Sequence, residues 1–268
     1  MSKLYLFPLS VYLLFQFTFI GTYIAAVIQG HVVPDFPYIS DAATYSPESC
    51  VFGQFINIGC VLLGITIYIR YRQIDEYSII HSDVRRCVGR KNIIGLWIGI
   101  TSCLGISIVA NFQETNVRIV HFVGAFLCFG AGTIYFWLQA IISYYLQPYS
   151  GSMLKAHIRL MLSVICTIFF IVASVTGVIS HIRFKGSDPR KWYPSDGGWY
   201  YHVASTISEW IVATAFCFYI ITFTEEFKII SLDHPPLQFI EIEEEIEYSQ
   251  NYSPIITPNS NPNEPIIS

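Results

Sequence analysis

Six stretches of this chain, about 7–28, 51–69, 93–110, 119–143, 158–180 and 203–223, are apolar on every face and alternate with short polar segments. Crossing the ~30 Å hydrocarbon layer as a helix takes about 20 residues, and each stretch is close to that length or beyond it. A soluble amphipathic helix shows a polar face at helical period, and these stretches have none. The pattern predicts an all-α, polytopic membrane protein, with six transmembrane helices in one bundle over residues 1–230. Beyond Phe223 the character changes: residues 241–247 read EIEEEIE and the remainder to Ser268 is rich in Asn, Pro and Ser. That composition cannot bury a core, so residues 231–268 are expected to form a disordered acidic tail.

Charge then orients the bundle. Charged residues make up 13% of the chain against 53% hydrophobic, and the charges fall between the stretches. Lys3, the second-loop group Arg70, Arg72, Arg85, Arg86, Arg90 and Lys91, then Lys155, Arg159 and Lys228 lie on one side. Arg118, Arg183, Lys185, Arg190 and Lys191 lie on the other. The more basic side faces the cytosol, so both termini are expected there. The first stretch follows a very short basic segment without a clear small-residue cleavage site, which reads as a retained signal anchor. Asn251 opens the N-x-S/T match, and this topology keeps it in the cytosol, unglycosylated.

Cys60, Cys103, Cys128, Cys166 and Cys217 sit within the stretches, Cys87 in the second loop and Cys50 near the outer surface, so no disulfide framework is expected. No Cys or His spacing suggests a metal, and no cofactor or nucleic-acid partner is expected. Gly95 and Gly99, one turn apart, have the small-xxx-small spacing that lets helices approach closely; Gly124, Gly130 and Gly132, with Ala125 and Ala131, offer another route to close packing. Packing within the bundle is the simpler use of both; dimerisation is the alternative. In the tail, Tyr252 and Ile255 form a tyrosine-x-x-hydrophobic match of the kind sorting adaptors read as an extended peptide; Tyr77 to Ile80 is a second.

Ionisable groups in or beside spans are costly and stand out for that reason. Glu209 lies inside the last stretch, with His202 two turns earlier; His121 opens the fourth, close to Glu114 and Arg118. With His31, Asp41 and Asn111 they outline a candidate polar site in the outer half: His31, Asp41, Asn111, Glu114, His121, His202 and Glu209. Two readings stand side by side. These groups either handle a proton, an ion or a lipid headgroup, or serve as internal polar glue between helices.

The first outer loop carries GHVVPDFPYISD from Gly30 to Asp41, followed by Pro47, Glu48 and Ser49; its prolines reduce the freedom lost on ordering. Together with IVANFQE at 108–114, His121, Gly124 and Ala125, LQ and IISYY around 138–145, HIR at 157–159, and YHV with Ser205, Glu209 and Trp210, the run resembles the DNA-damage-regulated autophagy modulators, the DRAM family. The resemblance spans about residues 5–230 and leaves out the tail beyond Asp233. It implies a six-helix protein of lysosomal or endosomal membranes, with other endomembranes or the plasma membrane also possible sites, that promotes autophagy and contributes to stress-linked cell death. It implies no catalytic residue.

Two mechanisms then compete. In one the protein is a non-enzymatic membrane organiser whose cytosolic loops recruit trafficking adaptors or autophagy proteins, while the basic second loop touches anionic lipid heads. In the other the polar cluster serves a lipid or ion transporter, a scramblase-like protein or a lipid-remodelling enzyme. No HExxH or GxSxG motif supports an enzyme.

Overall fold

The computed structural model describes residues 2–147 and 149–232, and among them every regular element is helical. The helices are α1 (Leu6–Ile28), α2 (Glu48–Ile80), α3 (Ser82–Asn111), α4 (Arg118–Phe126), α5 (Gly132–Leu146), α6 (Met153–Arg183), α7 (Trp199–Ile221) and the short α8 (Thr224–Phe227). A π-helical turn, Leu127–Ala131, joins α4 to α5 as one span. Six helices are thus long and apolar enough to cross a membrane, and this is a multi-pass membrane protein. The tail from Asp233, with Asn251, Tyr252 and Ile255, lies outside the described residues.

The basic second loop is helical almost throughout. α2 runs on to Ile80 and α3 begins at Ser82, with His81 alone in extended backbone between them. A 33-residue helix is about 50 Å long at 1.5 Å per residue, well beyond the hydrocarbon thickness. The two helices therefore project past the membrane as a hairpin, packed through Ile74, Val84 and Val88 against Ile142 and Leu146 of α5. Tyr77 to Ile80 forms the last turn of α2, so this second match is not the extended peptide that an adaptor reads.

Neighbours along the chain pack side by side, α1 on α2, α2 on α3, α3 on α4 and α5, α5 on α6 and α6 on α7, and α7 closes the circuit on α1. The result is a ring of helices. The Ser2 backbone amide reaches the Lys228 carbonyl at 3.3 Å, so both ends of the described chain lie at one end of the ring. Outward faces are apolar: Phe17, Ile28, Trp97, Phe126 and Val178 are all more than half exposed, as a hydrocarbon solvent allows.

Lipid gives helices little hydrophobic reason to associate, so close packing and hydrogen bonds must hold the ring. Gly105 supplies the tightest approach to another backbone: a Cβ there would collide with the Cys128 amide and fall 2.7 Å from the Gly124 carbonyl oxygen. Gly99 faces Ile67 and Tyr135, and Gly95 faces Gln139, so this stripe packs inside the chain. The π-turn shifts the backbone ladder, and Ser102 donates from its hydroxyl to the Cys128 carbonyl at 2.8 Å. Tyr219 stacks on Phe136 at 3.9 Å and donates to the Phe136 carbonyl, locking α7 to α5.

At the end carrying the termini, Glu226 of α8 sits between two arginines. Its Oε2 pairs with Arg70 of α2, and its Oε1 lies 3.0 Å from Arg159 of α6. Arg70 also donates to Gln73 and Gln139, and Arg159 to Ser143, Thr222 Oγ1 and the Thr222 carbonyl. The Phe223 ring lies under both guanidinium groups. Both arginines are about 99% buried, which corrects their assignment to solvated loops and removes Arg70 from the cations available to lipid heads. Arg72, Arg85, Arg86 and Arg90 remain exposed on the hairpin.

Removing one partner of a buried, hydrogen-bonded ion cluster costs about 3–5 kcal/mol, because the charges left behind stay desolvated. Glu226→Ala is therefore expected to lower the thermal denaturation midpoint of the purified protein sharply. Glu225→Ala, which removes an exposed carboxylate paired to Lys228, should leave it nearly unchanged. Equal midpoints for the two variants would contradict the role given to the cluster.

Candidate functional site

The ring encloses a cavity of about 630 Å³ to which all six spans contribute. Such a volume falls within the roughly 300–1,000 Å³ typical of small-molecule sites. Its interior is apolar, built from Phe15 and Val11 of α1, Ile56 of α2, Phe136 of α5 and Phe216 of α7, and the π-turn contributes Cys128 and Phe129. Polar groups gather at the end away from the termini. There Glu114, Arg118, His121, His181, Ser205 and Glu209 line the wall, under Tyr38, Ile39 and Ser40 of the first outer loop.

That loop is tied down from several sides. Trp210 of α7 donates its indole N–H to the Pro37 carbonyl at 2.9 Å, and Tyr23 of α1 donates to the Pro34 carbonyl at 3.1 Å. Ser40 donates to Glu114 Oε2 at 3.2 Å. The loop between α6 and α7 joins in: Arg190 holds Asp188 through two nitrogens at 2.8 and 3.1 Å and lies over the Tyr45 ring at 4.2 Å. The charge-assisted bonds to Asp188 raise the Arg190 pKa above its ordinary value. A fixed cap thus covers the polar end of the cavity.

The residues singled out in the sequence divide into groups. Glu114, His121 and Glu209 face the cavity. Asp41 lies just behind them, 96% buried in a single 3-10 turn, Asp41–Ala43. His202 is also buried, but stacks on Trp192 at 4.2 Å and meets Tyr38 edge-on, outside the cavity wall, with Nδ1 unpartnered. The structure sets two others apart from the rest. His31 pairs with the buried Glu48 at 3.0 Å, and Asn111 hydrogen-bonds to Asn57 on the outer face of α2 and α3. Arg118, His181 and Ser40 join the site without having been singled out for it. The signal for His181 is its position, one residue past the fifth apolar stretch.

Local bonding sets what the wall offers a ligand. His121 Nδ1 lies 2.7 Å from the Phe112 carbonyl oxygen; a carbonyl only accepts, so Nδ1 carries the proton and Nε2 of the neutral ring is an acceptor. Ser40 spends its proton on Glu114, and Ser205 spends its own on the Ala173 carbonyl at 2.7 Å. His181 Nε2 stands 3.7 Å from Glu114 Oε1. Glu209 is deeper: among the described residues no side-chain hydrogen bond or ion pair reaches it, and the Ile39 backbone lies against it.

The cavity opens sideways between α4 and α6. Phe122, Phe126, Ser174, Val178 and Ile182 both line it and face outward. Aromatic pairs cross the gap, Phe122 to His181 and Phe126 to Phe170, with ring centres 6.1 and 6.0 Å apart.

Burial, then the nearby carboxylates of Glu114 and Glu209, push the Asp41 carboxyl well above the ordinary carboxylate range. The folded-state pKa is raised, so this group's contribution to stability is full below about pH 4 and is lost as pH rises toward the folded value. Asp41→Asn is expected to raise the denaturation midpoint by an amount that grows between about pH 4 and about pH 7. A difference that does not vary with pH would show that the carboxyl titrates normally.

The chain matches the Frag1/DRAM/Sfk1/Cwh43P N-terminal domain over residues 3–230. It is 38% identical over 217 residues to DNA damage-regulated autophagy modulator protein 2 of Homo sapiens, covering 80% of each chain. It is 38% identical to DNA damage-regulated autophagy modulator protein 1 of Mus musculus, over 80% of this chain and 87% of the relative. The modulator of macroautophagy TMEM150B-B of Xenopus laevis is 41% identical over 140 residues, 52% of this chain and 57% of the relative. No solved structure matches the chain. A six-helix ring, a matching domain along nearly all of it and relatives of this identity together place the chain in the DNA damage-regulated autophagy modulator family.

Proposed function

We propose that the protein promotes autophagy and contributes to stress-linked cell death from lysosomal or endosomal membranes. In this reading it acts without catalysis, as a regulator of the membrane it sits in. Both termini and the α2–α3 hairpin face the cytosol, where trafficking adaptors or autophagy proteins meet them. The names of the relatives, autophagy and macroautophagy modulators, support the process. The observation that carries the mechanism is the cavity, enclosed by all six spans and open between α4 and α6 to the lipid. A membrane lipid held there couples the state of the bilayer to the fixed cap and the helices around it.

The hydroxyls at the polar end favour regulation over catalysis. Ser40 and Ser205 donate to Glu114 and to a backbone carbonyl, and neither is aimed at a histidine as an activated nucleophile would be. A second reading, movement of a lipid or ion through the ring, is favoured by the sideways opening. The polar groups lie toward one end and the remaining wall is apolar, which suits a holding site better than a path for ions.

Autophagic flux, followed with a tandem lysosomal reporter in cells lacking the protein, tests this reading. Wild type is expected to restore flux, and Glu209→Gln at matched level and location to restore less than half of it. Failure of the wild type contradicts the autophagy reading. Full rescue by Glu209→Gln would move the activity to the cytosolic face. For localisation, Tyr252→Ala is expected to shift a tagged protein toward the cell surface; an unchanged distribution removes the sorting motif.

A further inference from the structure

We propose that the cavity selects a single-chain lipid with a primary amine head, the ammonium sitting at Glu209 and Glu114 and the aliphatic tail running down the apolar interior. The inference rests on the reading of the cavity as a lipid site and adds the identity of the head.

Donor and acceptor bookkeeping at the polar end points to the amine. Among the groups facing the cavity acceptors predominate: the Glu209 carboxyl, Glu114 Oε1 and His121 Nε2, against the ring N–H of His181, which stands near Glu114. The hydroxyls of Ser40 and Ser205 are already committed as donors. A ligand must therefore bring protons, and an ammonium brings three together with a charge that offsets the carboxylates. Arg118 is the opposing full cation, and it is exposed at the rim, where water and salt screen it. A carboxylate or phosphate head would face two carboxylates and find few donors. A hydroxyl head would bring a single proton to several acceptors and no charge to hold the Glu209 carboxyl ionised.

The dimensions fit one chain. From His121 at the capped polar end to Phe136 at the apolar end, the fourth span rises about 22 Å at 1.5 Å per residue. A cavity of about 630 Å³ lies in the range that holds one drug-sized ligand, which suits a single extended tail. The gap between α4 and α6 admits the molecule from the bilayer without passage through water.

Equilibrium binding of radiolabelled hexadecylamine, hexadecanol and hexadecanoate to the full chain in detergent micelles tests the proposal, with empty micelles as the blank. The amine is expected to bind about tenfold more tightly than the alcohol, and the carboxylate more weakly than either. Glu209→Gln keeps the shape and an acceptor but removes the charge, so it should abolish the preference for amine over alcohol while alcohol binding stays. Ser174→Trp fills the gap from its outer edge and should weaken all three. Equal binding of amine and alcohol by the wild type, a preference for the carboxylate, or a preference that survives in Glu209→Gln would overturn the head-group inference. Binding of none of the three would overturn the lipid site as well, and flux rescue tests the autophagy reading separately. Were Glu209→Gln to fail to fold, the ranking of the three heads by the wild type decides alone.

Discussion

Glu226 holds three parts of the ring at one point. Its carboxylate lies between Arg70 of α2 and Arg159 of α6, and its own helix α8 continues from α7. In lipid the hydrophobic effect does not choose how helices pair, so a buried ion cluster braced by further hydrogen bonds can specify the arrangement even where its net contribution to stability is modest. Fixing this end leaves the opposite end to be held by the outer loops. Between the two, the helices surround a space they do not fill.

The same packing logic shapes the cavity. Gly99 and Gly105 draw α3 close to α2, α4 and α5. The π-turn at Leu127–Ala131 changes the facing of the fourth span where Cys128 and Phe129 meet the cavity. π-Turns of this kind interrupt the regular ladder and recur at functional sites. Between α4 and α6, aromatic side chains bridge a gap that backbones elsewhere in the ring close directly. Rotamer changes of such rings are fast compared with helix motions, so side chains could gate entry while the ion cluster and the cap stay fixed.

The spans were legible because apolar runs in a charge-poor chain have one physical use, and Glu209 and His121 were legible because an ionisable group there is expensive. Arg70, Arg159 and Glu226 were hidden by the same logic: each sits at or near the edge of an apolar stretch, where sequence reads a solvated flank. Only tertiary contact shows that helices run on beyond the hydrocarbon and bury their first polar turns. His31 and Asn111 show the converse. Both belong by position to the outer polar end, but their partners Glu48 and Asn57 lie on other faces, and sequence carries no record of which way a side chain points across a ring. The cavity itself was invisible, since nothing in a list of apolar residues distinguishes those that touch from those that leave room.

Whether this ring holds a lipid in its interior is read by native mass spectrometry of the intact chain released gently from its membrane. A resolved adduct of one lipid per chain is expected, retained under activation that strips the outer detergent and absent from Ser174→Trp. A bare chain, or the same adduct on both proteins, would contradict it.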